Sequence, residues 1–144
     1  MPTFEELEEG RTFETTARTI TEADIVNFAG VSGDFNYLHT DEETMSETEY
    51  GARIAHGALV FSVLTGLMWQ SRHERPEVVA FYGVDNLRFT APVFVGDTIH
   101  GEAELVEKQE RDHPEASGTV RNHVEVINQD GETVLACDMT ALVK

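Results

Sequence analysis

Between Val31 and Gly57 the chain collects an acid, a base and a helix start in one short span: Val31-Ser32-Gly33-Asp34-Phe35-Asn36-Tyr37-Leu38-His39, then Ile54-Ala55-His56-Gly57. An ionised carboxylate accepts hydrogen bonds, and an imidazole takes or gives a proton near neutral pH. If Asp34 and His39 converge on one water, they can deprotonate it and return a proton elsewhere. Their five-residue spacing alone does not require this, since an isolated Asp and His in a loop often serve only as turn or cap residues. Gly57 adds a third element, because it opens a long apolar run. The first amides of a buried helix are unpaired donors backed by the helix dipole, and glycine lets a substrate approach the backbone closely. Such amides form an oxyanion site. His56 is expected to serve the helix start through a structural hydrogen bond.

These residues need a frame. Thr12 to Ile20 is threonine-rich and predicts a strand. Thr21 and Asp24 have capping-box spacing, with Ile25, Phe28 and Ala29 on an apolar face, so a helix of about three turns is expected to end near Gly30. Val31 to Thr40 reads as loop, Asp41 to Met45 as a short helix with acids at its N-terminus, and Ser46 to Ala55 as irregular. From Gly57, Val60, Val63, Leu64, Leu67 and Met68 keep helical spacing, and Leu59 and Phe61 widen the apolar surface. A helix buried nearly all round is expected, its small-residue row Ala58, Ser62 and Gly66 lying close against a sheet.

After Ser71 to Pro76 the pattern is β. Strands are expected within Val78 to Val95, from Thr98 to Lys108, from Gly118 to Asn128 and from Glu132 to Val143. Gln109 to Ser117 reads as a polar loop and Gln129-Asp130-Gly131 as a hairpin turn. A curved antiparallel sheet wrapped around the long helix buries both apolar surfaces, an α+β hot dog of one domain over residues 1–144. One sheet layer over one helix leaves strand edges open, so at least a homodimer is expected.

The 27 acidic side chains against 10 basic ones give a net charge of -17. That field disfavours nucleic acid, which needs clustered cations. Only Lys108 and Lys144 are lysines, and an acidic, lysine-poor chain fits a salty cytoplasm, where at about 1 M salt the Debye length falls to roughly 3 Å. The acidic N-terminal segment lacks the basic and apolar regions of a signal peptide, and Gly57 to Trp69 is too short to span a bilayer, so a cytoplasmic protein without membrane contact is expected. Cys137, the single cysteine, is expected to be a buried small hydrophobe. His73, His100, His113 and His123 lack metal-ligand spacing, and no metal site is expected.

Gly33-Asp34-Phe35-Asn36-Tyr37-Leu38-His39 followed by Ile54-Ala55-His56-Gly57 resembles the hydratase motif of the MaoC-like dehydratases, which include (R)-specific enoyl-CoA hydratases. The order of the flanking elements and the chain length fit a single-hot-dog member. The resemblance implies reversible syn addition of water to a trans-2-enoyl-CoA, giving an (R)-3-hydroxyacyl-CoA, with no cofactor beyond the coenzyme A of the substrate. By position, Asp34 and His39 would be the catalytic pair and the Gly57 amide the carbonyl ligand. Asn36 would shape the loop, and Thr65 falls where relatives carry a serine near the site. Tyr37 stands in place of the usual proline, either loosening the loop or lining the acyl pocket. Arg72, Arg75 and Arg88 are candidates for the coenzyme A phosphates. A dehydratase acting on carrier-protein or other acyl thioesters, and a hot-dog protein that binds thioesters without turnover, are the competing readings.

Overall fold

In the computed structural model, which describes residues 1–144, the long helix α4 (Gly57–Gln70) lies in the concave face of an antiparallel sheet. The other elements are β1 (Thr12–Glu14), β2 (Arg18–Thr19), α1 (Glu22–Ser32), α2 (Tyr37–Thr40), α3 (Glu42–Ser46), β3 (Val78–Phe89), β4 (Thr98–His113), β5 (Ala116–Ile127) and β6 (Thr133–Val143). The strand order is β1-β4-β5-β6-β3, with β2 pairing on β4 as well. This is the hot-dog arrangement expected from the sequence. Ile20, Leu59, Val63, Leu64, Leu67, Ile99, Val124, Val126, Leu135 and Cys137 belong to its one large core cluster. Burial beside Asp138 pushes the Cys137 thiol up to about 11, which keeps it a neutral apolar filler.

The first helix starts as its residues require. The Asp24 amide donates to Thr21 Oγ1 at 3.2 Å and the Thr21 amide to the Asp24 carboxylate at 2.8 Å. Its end comes later than Gly30: α1 continues to Ser32 and is closed by Gly33 at φ 76°, whose amide reaches the Ala29 carbonyl at 2.8 Å. Glycine takes this left-handed conformation at no steric cost, and it is Gly33 that adopts it, Gly30 remaining helical.

Four expectations are corrected. The strand from Thr12 to Ile20 is two short pieces, both held by β4. Within Val31 to Thr40, residues Tyr37–Thr40 form one helical turn. The polar stretch Gln109 to Ser117 is no loop: β4 runs on to His113 and β5 begins at Ala116, joined by Pro114 and Glu115. That ribbon tip lies beyond the core, so it carries no buried-exposed alternation to read. Finally, α4 is not buried all round. Ala58, Ser62, Thr65, Gly66 and Trp69 are exposed, and the small-residue row faces away from the sheet. The face against the sheet is Leu59, Val60, Val63, Leu64, Leu67 and Met68.

Candidate active site

The acid-base pair is placed by a chain of side-chain turns. Asp34 follows the left-handed Gly33, its amide donates to Ser32 Oγ at 3.1 Å, and its own carboxylate accepts from the Asn36 amide at 3.2 Å. Asn36 then caps α2 by accepting from the Leu38 amide at 3.0 Å. Thr40 donates its hydroxyl to the Asn36 carbonyl at 3.0 Å. Tyr37 takes the first helical position, where proline fits because that amide has no helical partner. The turn forms without it, since Asn36 and Thr40 supply the restraint. The tyrosine side chain is exposed and stands outside the cleft walls.

This single turn carries His39 inward to 7% exposure. Its Nδ1 lies 2.7 Å from the Ile54 carbonyl, and the Ile54 amide donates to the Leu38 carbonyl at 2.9 Å. A carbonyl accepts only, so Nδ1 carries a proton, and in the neutral ring Nε2 is then the free base. Nε2 faces Asp34 Oδ2 at 3.8 Å. That distance is beyond a direct hydrogen bond and suits two groups sharing one small third partner.

His56 precedes α4 without capping it: its side chain makes no bond to the first turn. The amides of Gly57, Ala58 and Leu59 therefore remain open donors at the positive end of a 14-residue helix that contains no charged side chain. His56 Nε2 instead donates to the Asp34 main-chain oxygen at 2.9 Å, and its ring stacks on His39 with centroids 3.6 Å apart.

A cleft of about 400 Å³ opens beside this group. His39 and Gly57 line one part of it, and Leu38, Tyr50, Val60, Val134 and Phe89 give it an apolar wall; Asp34 stands at its side, not in the wall. The Phe89 ring covers Gly57, 2.8 Å from where a β-carbon would be. Glycine thus admits an aromatic ring of the chain itself at the place where close substrate approach was expected.

The remaining candidates separate. Thr65 is exposed, donates to the Ser62 carbonyl at 2.7 Å, and lies eight residues or roughly 12 Å along the helix from Gly57. Arg72 and Arg75 follow the far end of α4, roughly 20 Å from its start; Arg72 lies over Trp69 and Arg75 donates to the Met68 carbonyl. None of these three is brought to the acid-base pair. Arg88 adjoins Phe89 at the cleft, is exposed and has no acidic partner.

Two residues that matter here carried no local signal. Arg53 grips Glu22 of α1 with two bonds of 2.6 and 2.7 Å and Glu42 of α3 with one of 2.6 Å, tying the site loop at both ends. The two carboxylates raise the guanidinium's proton affinity, and Arg53 in return lowers that of Glu22. Phe89 was hidden in an ordinary strand pattern. Both act across long separations in the chain, which periodicity does not report.

Asp34, His39 and His56 each bring one potential metal-ligating atom within 4.8 Å of the others. Yet one nitrogen of each ring already meets a carbonyl, and the two rings lie face to face with their planes 25° apart. Proton handling by Asp34 and His39 suits this arrangement better than a tetrahedral cage.

A curved sheet around one helix, with acid, base and open helix amides at a single cleft, defines a hot-dog protein of the lyase class. The chain belongs to the MaoC-like family of hydratases and dehydratases: the pattern described as MaoC like domain matches residues 5–128. It is 48% identical over 96 residues to Protein MaoC of Klebsiella aerogenes, a match covering 67% of this chain and only 28% of that longer protein. It is 36% identical over 122 residues to the (R)-specific enoyl-CoA hydratase of Aeromonas caviae, covering 85% of this chain and 84% of the relative. Among solved structures, a monoamine oxidase regulatory protein from Archaeoglobus superposes with a TM-score of 0.88 at 43% identity, over 99% of this chain and 94% of the other.

Proposed function

We propose that the chain is an (R)-specific enoyl-CoA hydratase that adds water reversibly to a trans-2-enoyl-CoA. The observation that carries this is the 3.8 Å gap between Asp34 Oδ2 and His39 Nε2, opening beside the uncapped start of α4. A water held by both groups loses a proton to His39 Nε2 as its oxygen bonds to C3 of the enoyl group. The electron pair moves from the C2–C3 double bond onto the thioester oxygen, to which the Gly57 amide N–H donates a hydrogen bond. The pair then returns one proton to C2 on the same face, so water is consumed and nothing else is needed. Coenzyme A enters as part of the substrate, and no metal or further cofactor takes part. The apolar wall of the cleft suits an acyl chain, and Arg88 would meet a phosphate of coenzyme A.

A homodimer belongs to the same proposal. The outer edge of β3 has no partner strand, it exposes Phe81 and Tyr82, and α4 presents Ala58, Ser62, Gly66 and Trp69 outward. Pairing two such faces would cover the open edge. Sedimentation should then give twice the 16.0 kDa chain mass. No helix is long and apolar enough to cross a membrane, and a cytoplasmic setting completes the reading.

The test is loss of absorbance at the enoyl thioester band when the protein meets crotonyl-CoA in high salt. Turnover is expected, and Asp34→Asn or His39→Asn should each lower kcat by about 10² to 10⁴. Absence of turnover at every acyl length would sink the enzyme reading. Equal rates in all three proteins would sink the residue assignment.

A further inference from the structure

His56 is an expensive way to begin a helix. Serine, threonine, aspartate and asparagine are preferred there because their side chains bond the first turn; His56 makes no such bond. It is 3% exposed, and its Nδ1 is buried with no partner at all, an arrangement proteins rarely retain without cause. What the ring does instead is reach both halves of the acid-base pair. Nε2–H donates to the main-chain oxygen of Asp34 at 2.9 Å, the ring face lies on His39 at 3.6 Å and 25°, and Phe28 braces it edge-on at 5.0 Å.

We infer that His56 is a positioning residue for the proposed hydration, fixing the Asp34 peptide by a hydrogen bond and the plane of His39 by stacking, so that carboxylate and base keep the spacing of one shared water. The inference rests on the hydratase reading. His56 exchanges no proton with substrate: Nε2 is committed to a carbonyl, and Nδ1 is closed off from solvent. It acts through its two neighbours. The Asp34 carbonyl is 22 residues away in sequence, yet this bond ties the site loop to the same helix start that supplies the amide donors. Acid, base and oxyanion donors are thereby referenced to one rigid point, which is what preorganised catalysis requires.

Two variants divide the ring's duties. His56→Phe keeps a flat ring for His39 but loses the donor to Asp34, and His56→Gln keeps a donor at similar reach but loses the stack. With crotonyl-CoA both should lower kcat by about 100-fold, the scale of a 1 Å misplacement, while KM stays within about twofold. Crystal structures of both should show the Asp34–His39 separation moved from 3.8 Å, through Asp34 in the first and through His39 in the second. Wild-type kcat in both folded variants, or a lowered kcat with that separation unchanged, would overturn the inference. If the wild type shows no turnover, the hydratase reading fails by itself and the crystal separations alone decide the positioning role. Should neither variant fold, nitrogen-15 NMR of the wild type decides: a proton on Nε2 of His56 is expected, and one on Nδ1 with Nε2 bare would overturn it.

Discussion

A methyl group at Gly57 would meet the Phe89 ring at 2.8 Å, closer than side-chain carbons tolerate, although the ring is 55% exposed and has room to swing outward. Gly57→Ala therefore tests two ideas that a sequence motif cannot separate. If glycine is needed only for Phe89, the double variant Gly57→Ala with Phe89→Ala should regain activity. If glycine is needed for the thioester, the double variant should regain stability, about 1 to 3 kcal/mol of overpacking, and stay slow. We expect the second outcome, read from melting curves and crotonyl-CoA rates side by side. At this scale the motif was legible because its residues are local: Gly33, Asp34, Asn36 and His39 build their own turns within seven residues. Thr65, Arg72 and Arg75 lie away from the acid-base pair, at a distance along the fold that their places in the sequence do not report.

At the scale of elements, the site loop is held between two short helices by one arginine. Arg53 is the cation shared by Glu22 and Glu42, so Arg53→Met should loosen the link between α1 and α3 while leaving the His39–Ile54 bond in place. Faster amide hydrogen exchange confined to residues 34–46 is the expected signature, and unchanged exchange there would show the clamp to be ornamental. The α1 cap is a separate feature. Thr21→Ala removes one side of a reciprocal pair and should cost about 1 kcal/mol in chemical unfolding. Cap and apolar stripe are written in neighbouring residues, so α1 could be read almost to its end. The outward face of α4 could not, because Ala, Ser and Gly are equally at home against a sheet or at a surface.

For the whole molecule, charge decides how stability depends on conditions. Glu22, Asp24, Asp41 and Asp138 all have lowered carboxylate pKa values: the Arg53 bond acts on Glu22, and Asn86 with His123 on Asp138. For Asp24, the Thr21 bonds and Arg18 overcome an opposing burial effect, and for Asp41 the Thr44 bonds dominate. A carboxylate lowered in the folded state stabilises it above the unfolded pKa, near 4, and loses that contribution as pH falls through the folded value. Against this, the net charge of -17 repels itself most at neutral pH and least near the pI of about 4.5. In dilute buffer the melting temperature should therefore rise from pH 8 toward pH 5 and fall below about pH 4. Molar salt at pH 7 should raise it, and a flat response would remove the case for a saline cytoplasm.

The strand order bears on how such a chain is made. Strand β3 has a single partner, β6, and β6 also closes on β5, so the last strand of this domain in chain order is an interior member of the sheet. Until it emerges, β3 has nothing to pair with and α4 lacks the Leu135 and Cys137 side of its core. Folding of this domain must then finish after synthesis of its final strand, with the apolar helix waiting, and a nascent chain stopped at Gly131 should be digested by protease where one carried past Val143 and clear of the ribosome resists.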